Sequence, residues 1–119
     1  WVIVGRQGVI RLPPAAREEY GFEAGDTLII LPGSRRSGGF GLAAPPQLAD
    51  RAGRWLAAGR SLGQTTLDEG GRAALPASLE LPAGSRLLAV RGSGRALGFV
   101  ARGPIYAEAV MHEELECFE

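Results

Sequence analysis

The chain contains very little cysteine, and this scarcity limits the kinds of site it can carry. Cys117 is the single cysteine, so one chain can form neither an internal disulfide nor a multi-cysteine zinc site. A lone thiol is more typical of a reducing compartment than of secretion. There is no run of about 18 apolar residues and no apolar stretch after a basic start, so we expect neither a membrane span nor a signal peptide. The sequence therefore predicts a cytoplasmic protein with no membrane partner.

The chain contains no lysine, and all thirteen of its basic residues are arginines. Thirteen acidic residues bring the formal net charge to zero, which argues at first against a nucleic-acid partner, since phosphate binding needs concentrated positive charge. The charges are nevertheless separated along the chain. Residues 1–103 hold all thirteen arginines and eight acidic residues, whereas residues 108–119 hold five glutamates. The sequence thus predicts a basic body and an acidic tail.

What the chain does contain is an internal repeat. Residues 8–13 (GVIRLP) line up with residues 71–76 (GRAALP) at an offset of 63. Residues 23–30 (EAGDTLII) match residues 82–89 (PAGSRLLA) at an offset of 59. Each copy then continues through a glycine-rich turn into a short apolar run. A copy of about 45 residues is too small for a stable core of its own, so we expect the two copies to pair.

The order of apolar runs and turn residues predicts the same elements in both copies: strand, turn, strand, short helix or helical turn, strand, turn, strand. In the first copy the strands are expected near residues 1–4, 9–12, 27–31 and 40–43. Pro13-Pro14 should end the second strand and open a helix that Gly21 terminates. The second copy has room only for a single turn at residues 77–79. The predicted fold class is mainly β with short helices.

Two further helices are predicted outside the copies. Residues 46–58 have the spacing of an amphipathic linker helix. Its apolar face consists of Leu48, Ala52, Trp55 and Leu56. Another helix is expected to begin at Pro104 and run to residue 119. Its apolar stripe consists of Ala107, Met111, Leu115 and Phe118. Because these stripes exceed what one small domain needs to cover, we expect them to form a protein contact, most simply a homodimer.

The resulting division of the chain has four parts. They are a first repeat at residues 1–43, a helical linker at 44–66, a second repeat at 67–103 and an acidic C-terminal helix at 104–119.

The string LDEGGRAALP at residues 67–76 resembles the opening of the AbrB family of transition-state regulators, in which an aspartate precedes Gly-Arg, two mostly apolar residues, Ile or Leu, and Pro. The first copy is similar to the same pattern through residues 8–13, Arg17 and Gly25-Asp26. The resemblance, which extends to the MazE and MraZ proteins with their SpoVT/AbrB-type domain, implies a swapped-hairpin β-barrel. Family members normally build it from two chains. Here both copies lie on one chain, as in MraZ proteins, so we expect the barrel to close within it.

The resemblance also implies contact with duplex DNA through arginines beside the first hairpin and in the helix. Arg72 matches the arginine of the Gly-Arg pair, and Arg17 matches the helix arginine. Arg6 and Arg11 have no motif counterpart but are expected in the first hairpin turn and on the next strand. We therefore assign DNA binding to Arg6, Arg11, Arg17 and Arg72. Each copy keeps only part of the family's set, since Val9 stands in the first copy where the second has Arg72.

No residue set points to catalysis, a cofactor or a metal. His112 is the single histidine and has no partnering nucleophile, so no hydrolytic triad can be assembled around it. Gly92-Ser93-Gly94 is not followed by the Gly-Lys-Ser/Thr of a phosphate-binding loop, and a hairpin turn is the better interpretation. We expect a protein that is not an enzyme.

Two classes of function remain open at this point. One is a DNA-binding transcriptional regulator, including the variant in which it is the antitoxin of a toxin partner, as MazE-like members are. The other is a protein-interaction module that keeps the barrel and has lost DNA binding. The incomplete arginine set and the zero net charge favour the second class.

Overall fold

The computed structural model describes residues 1–33, 38–44, 62–91 and 96–119. Within these ranges the chain forms eight strands and two short α-helices, so the predicted mainly β class is confirmed. The helices are α1 (Pro14–Tyr20) and α2 (Pro104–Val110). The strands are β1 (Val2–Ile3), β2 (Val9–Arg11), β3 (Thr27–Pro32), β4 (Phe40–Ala43), β5 (Gly63–Thr66), β6 (Arg72–Ala74), β7 (Arg86–Arg91) and β8 (Leu97–Val100). The predicted linker helix at 46–58 lies outside the described residues.

Local signals account for the elements between the second and third strands of each copy. α1 has Pro14 in its first turn, where a missing N–H costs nothing, and ends at Gly21 in the left-handed conformation. The second copy has a single 3-10 turn at Ala77–Leu79 in the corresponding place. Both features confirm the sequence-based prediction.

The strands form a six-stranded sheet in the order β1-β7-β8-β4-β3-β5 and a separate two-stranded ladder of β2 with β6. All of these pairings are antiparallel. The first strand of each copy pairs with the third strand of the other copy, because β1 lies beside β7 and β5 lies beside β3. Neither copy therefore completes its own sheet.

The register between the copies follows the repeat offsets. Val2 lies opposite Leu87, and the equivalent positions, Thr65 and Leu28, also lie opposite each other. Backbone hydrogen bonds repeat in the same way. The Val4 N–H donates to the Ser85 oxygen at 2.9 Å, and the Leu67 N–H donates to the Asp26 oxygen at 3.0 Å.

The main core lies between the sheet and the β2–β6 ladder. Ile10 and Ala73 are both buried, and they face each other at the centre of that ladder. Phe40 and Phe99 lie opposite each other on β4 and β8 and stack with ring centroids 4.8 Å apart. The remaining fully buried side chains of this cluster include Val2, Val4, Leu12, Leu28, Ile30, Leu42, Leu67 and Leu87. This core is shared by the two copies.

The structure corrects the predicted linker boundary. Residues 63–66, expected to belong to a helical linker at 44–66, form β5 instead. Its sequence, GQTT, has no apolar side chain, so no alternation of apolar and polar residues marks it as a strand. β5 exists because its backbone pairs with β3 and because Thr65 is buried there.

The structure also corrects the predicted C-terminal helix. α2 ends at Val110, and residues 111–119 fold back until Phe118 bridges to Val2 of β1. The predicted stripe does not form, since Met111 is 82% exposed and Leu115 is 38% exposed. The buried side chain of α2 is Ala109 instead. Neither of the described helices has the length and apolar character needed to span a membrane.

Candidate nucleic-acid interface

The β2–β6 ladder places two of the four predicted DNA-binding residues directly opposite each other. Arg11 on β2 is the register partner of Arg72 on β6. Directly opposed residues lie on the same face of an antiparallel pair with Cβ atoms about 5 Å apart, and two like charges in that position destabilise the pair. An anion between the two guanidinium groups would remove this repulsion.

Arg17 joins this pair from α1. Its guanidinium lies against Gly71, the residue before Arg72, so closely that a Cβ atom at Gly71 would come within 2.6 Å of Nη1. The Nε atom of Arg17 is buried and has no hydrogen-bond partner among the described residues. The structure therefore brings Arg11, Arg17 and Arg72 together, and we call them the arginine cluster.

The turn before β6 fixes the backbone of the cluster. The Arg72 N–H donates to Oδ1 of Asp68 at 2.8 Å, and the Gly71 N–H donates to the backbone oxygen of Asp68 at 3.1 Å. Asp68 matches the family aspartate of the resemblance, and here it accepts backbone hydrogen bonds of the turn. No carboxylate side chain in the described ranges forms an ion pair with Arg11, Arg17 or Arg72. Within those ranges the cluster thus keeps its positive charge uncompensated by side chains.

Arg6 is not part of the cluster. It is exposed in the 3-10 turn Arg6–Gly8, beyond the end of the ladder at which Val9 pairs with Ala74. The Arg11–Arg72 pair lies at the other end of the same ladder. Because β2 and β6 are antiparallel, the turn before β2 and the turn before β6 lie at opposite ends of the ladder. Arg6 lies in the first of these turns and is therefore separated from the cluster, which lies beside the second.

The C-terminal segment, residues 116–119, lies over the cluster. The Phe118 ring centroid is 6.0 Å from Cζ of Arg11, at the outer limit of a cation–π contact. Nη2 of Arg72 donates a long hydrogen bond of 3.5 Å to the Glu119 backbone oxygen. The sequence does not predict this contact, because the spacing there places Phe118 on a helix and no local pattern indicates that the segment folds back.

The acidic tail contains one shifted titratable group. The pKa of Glu114 lies below its ordinary value, first because its carboxylate accepts a backbone hydrogen bond and then because Nδ1 of His112 lies 2.9 Å away. Both side chains are exposed. In the ranges that the structure describes, no three His, Cys, Asp or Glu residues come together as metal ligands would.

Comparisons with known proteins leave the family open. The AbrB-like pattern depends on the order of short motifs around glycine, arginine and proline, and the two copies differ at several of these positions. No family model matches the chain, and no curated protein and no solved structure matches it significantly.

Proposed function

We propose that the chain is a DNA-binding transcriptional regulator of the AbrB-like class, in which two copies on one chain form a swapped-hairpin barrel. The exchange of first strands between copies, β1 to β7 and β5 to β3, supports the barrel. So does the repeat-related register of β2 with β6 and of β4 with β8. The AbrB-like motifs at residues 8–13 and 67–76 each include the end of a turn and the strand that follows it, β2 or β6.

The observation that carries the proposal is the arginine cluster itself. Two arginines face each other across a ladder, and a third packs beside them against Gly71. Such an arrangement costs free energy in the absence of a counter-anion. A planar guanidinium that keeps its charge is suited to phosphate oxygens, and phosphate contacts supply most of the affinity for duplex DNA. The cluster therefore contacts the DNA backbone, and Arg6 reaches a neighbouring phosphate from the other end of the ladder.

The proposal includes a homodimer and a cytoplasmic location. α2 leaves large apolar side chains in solvent, with Ile105 60% exposed and Val110 50% exposed. These side chains, together with Met111, form the proposed contact between two chains. The lone thiol of Cys117 fits a reducing compartment.

The proposal is tested by fluorescence anisotropy with a labelled duplex from the protein's own upstream DNA, at several salt concentrations. Log affinity should fall linearly with log salt, with a slope near −0.9 for each phosphate contacted. Arg72→Ala should weaken binding and make the slope shallower by about 0.9, because one contact is lost. Arg11→Ala should do the same.

Arg102→Ala is the matched control, since Arg102 is an exposed arginine on the loop after β8. It removes the same charge outside the cluster and should leave the slope nearly unchanged. If the intact protein does not bind the duplex even at low salt, the regulator proposal fails. The protein-interaction module, including an antitoxin that acts only on its toxin, then becomes the better explanation.

A further inference from the structure

Residues 116–119 occupy the free edge of β1. Three backbone hydrogen bonds hold them there. The Trp1 nitrogen donates to the Glu116 oxygen at 2.7 Å, the Phe118 N–H donates to the Trp1 oxygen at 2.8 Å, and the Ile3 N–H donates to the Phe118 oxygen at 2.9 Å. β1 is the last strand of the six-stranded sheet, so without this segment its outer N–H and C=O groups would be unpaired.

The same segment carries side chains and backbone onto the arginine cluster. Phe118 approaches Arg11, and the Glu119 backbone oxygen accepts from Arg72. Glu116 and Glu119 give the segment a negative charge. A phosphate bound between Arg11 and Arg72 would compete with this segment for both guanidinium groups. Docking of the segment and binding of a polyanion therefore exclude each other.

The two sides of this contact differ in how firmly they are held. Trp1 is buried, its ring meets Tyr106 edge-on at a centroid distance of 5.1 Å, and Cζ of Arg86 lies 4.1 Å from the same ring. By contrast, Glu116, Cys117 and Glu119 are exposed, and Phe118 is only half-buried. When the contact opens, the segment leaves and β1 stays in place.

We propose that residues 116–119 regulate the arginine cluster as an intramolecular competitor. In the docked state the segment contacts Arg11 through Phe118 and Arg72 through the Glu119 backbone oxygen. Duplex DNA, which binds only the open state, displaces it. The apparent dissociation constant is therefore raised by the inverse of the open fraction. This inference rests on the proposed function, because it assigns a control to the same DNA-binding surface.

The test measures docking and DNA affinity separately in the full chain. Docking is followed by amide hydrogen exchange at Ile3, whose N–H donates to Phe118, with Val4 as an internal reference because its N–H donates to Ser85. Affinity is measured with a labelled duplex at low salt. Phe118→Ala should expose the Ile3 amide, leave the Val4 amide protected and tighten duplex binding by about 3- to 10-fold. Adding duplex to the unaltered protein should also expose Ile3.

Two further variants keep the test decisive. Leu62→Ala removes an apolar side chain that is 39% exposed and lies outside both the segment and the proposed contact between chains, so it should change neither readout. Phe118→Pro removes the N–H that donates to Trp1 without touching the core, and it should act as Phe118→Ala does even if that variant folds poorly.

The outcomes separate the two proposals. If Phe118→Ala exposes the Ile3 amide but duplex affinity is unchanged, the segment does not regulate, although the regulator proposal stands. The same conclusion follows if duplex leaves the Ile3 amide protected in the unaltered protein. If neither the unaltered protein nor any variant binds duplex, both proposals fail.

Discussion

A single glycine lets an arginine of α1 lie against the turn before β6. Gly71 has a backbone φ of +77°, a conformation that favours glycine, and a Cβ atom there would collide with the guanidinium of Arg17. The glycine thus serves two needs at once, since it shapes the turn and leaves room for Arg17 beside Arg72. Replacing it should affect stability and DNA binding by separate routes.

Gly71→Ala should lower the free energy of unfolding by about 1 kcal/mol or more, because alanine is strained at positive φ. It should also weaken duplex binding, because Arg17 must move away from the cluster. Urea unfolding and anisotropy titrations measure the two effects.

Gly84→Ala is the matched control for this prediction. Gly84 has a φ of +90°, and no atom lies within 4 Å of the position that a Cβ atom would take there. Its alanine variant therefore carries the same kind of backbone strain without displacing an arginine. Equal duplex affinities for the two variants would contradict a role for Arg17 in binding.

Residue identity alone predicts part of the site. Motif positions and expected turns assign Arg11, Arg17 and Arg72 to DNA binding, but the proximity of these arginines depends on the β2–β6 register, which joins residues 61 positions apart in the chain. The contact of Phe118 with Arg11 could not be predicted, because it depends on a fold-back that no local pattern encodes.

At the scale of elements, the short ladder of β2 with β6 fills the centre of the core. Ile10 is fully buried, and its register partner Ala73 is 2% exposed. The large Ile10 side chain of the first copy lies opposite the small Ala73 side chain of the second, and together they fill the centre of the β2–β6 ladder. Truncating Ile10 to alanine would leave a cavity that Ala73 is too small to fill.

Ile10→Ala should therefore lower the free energy of unfolding by about 2–5 kcal/mol, the cost of lost burial together with the cavity. Ile105→Ala makes the same chemical change on α2 at a side chain that is 60% exposed within one chain, and in protein diluted until it is monomeric it should change stability by no more than about 0.5 kcal/mol. Urea unfolding of both variants gives the comparison. Similar losses for the two would place Ile10 outside the core.

Elements with strong local signals are the ones that the sequence predicts well. Proline and glycine delimit α1, and a shortened connection leaves only the turn Ala77–Leu79. β5 and the C-terminal segment escape prediction for a common reason. Both are held by backbone hydrogen bonds to strands that are distant in the sequence. The GQTT sequence of β5 is polar throughout, and Phe118 is the single large apolar residue of residues 116–119, so neither segment shows a periodic apolar pattern.

At the scale of the whole molecule, neither copy is complete without the other. β1 depends on β7, β5 depends on β3, and the β2–β6 and β4–β8 pairs each take one strand from each copy. Buried apolar side chains of both copies belong to one cluster.

Residues 1–44 and residues 62–119, produced as separate peptides, should each be unfolded or form obligate dimers, because a lone copy exposes its half of the core. An equimolar mixture should regain β structure. Circular dichroism and sedimentation of the two peptides and of the mixture measure this. A folded monomer of residues 1–44 would contradict the shared core.

The covalent connection of the two copies has a consequence for how such a molecule changes over evolutionary time. When two identical chains form such a fold, a mutation changes both halves of the fold at once, so a charge gained in one half is also gained in the other. Here Val9 and Arg72 occupy equivalent positions and differ, and Arg17 has no equivalent because the second copy has a four-residue deletion. One half can therefore accumulate binding residues while the other is free to lose them and to specialise.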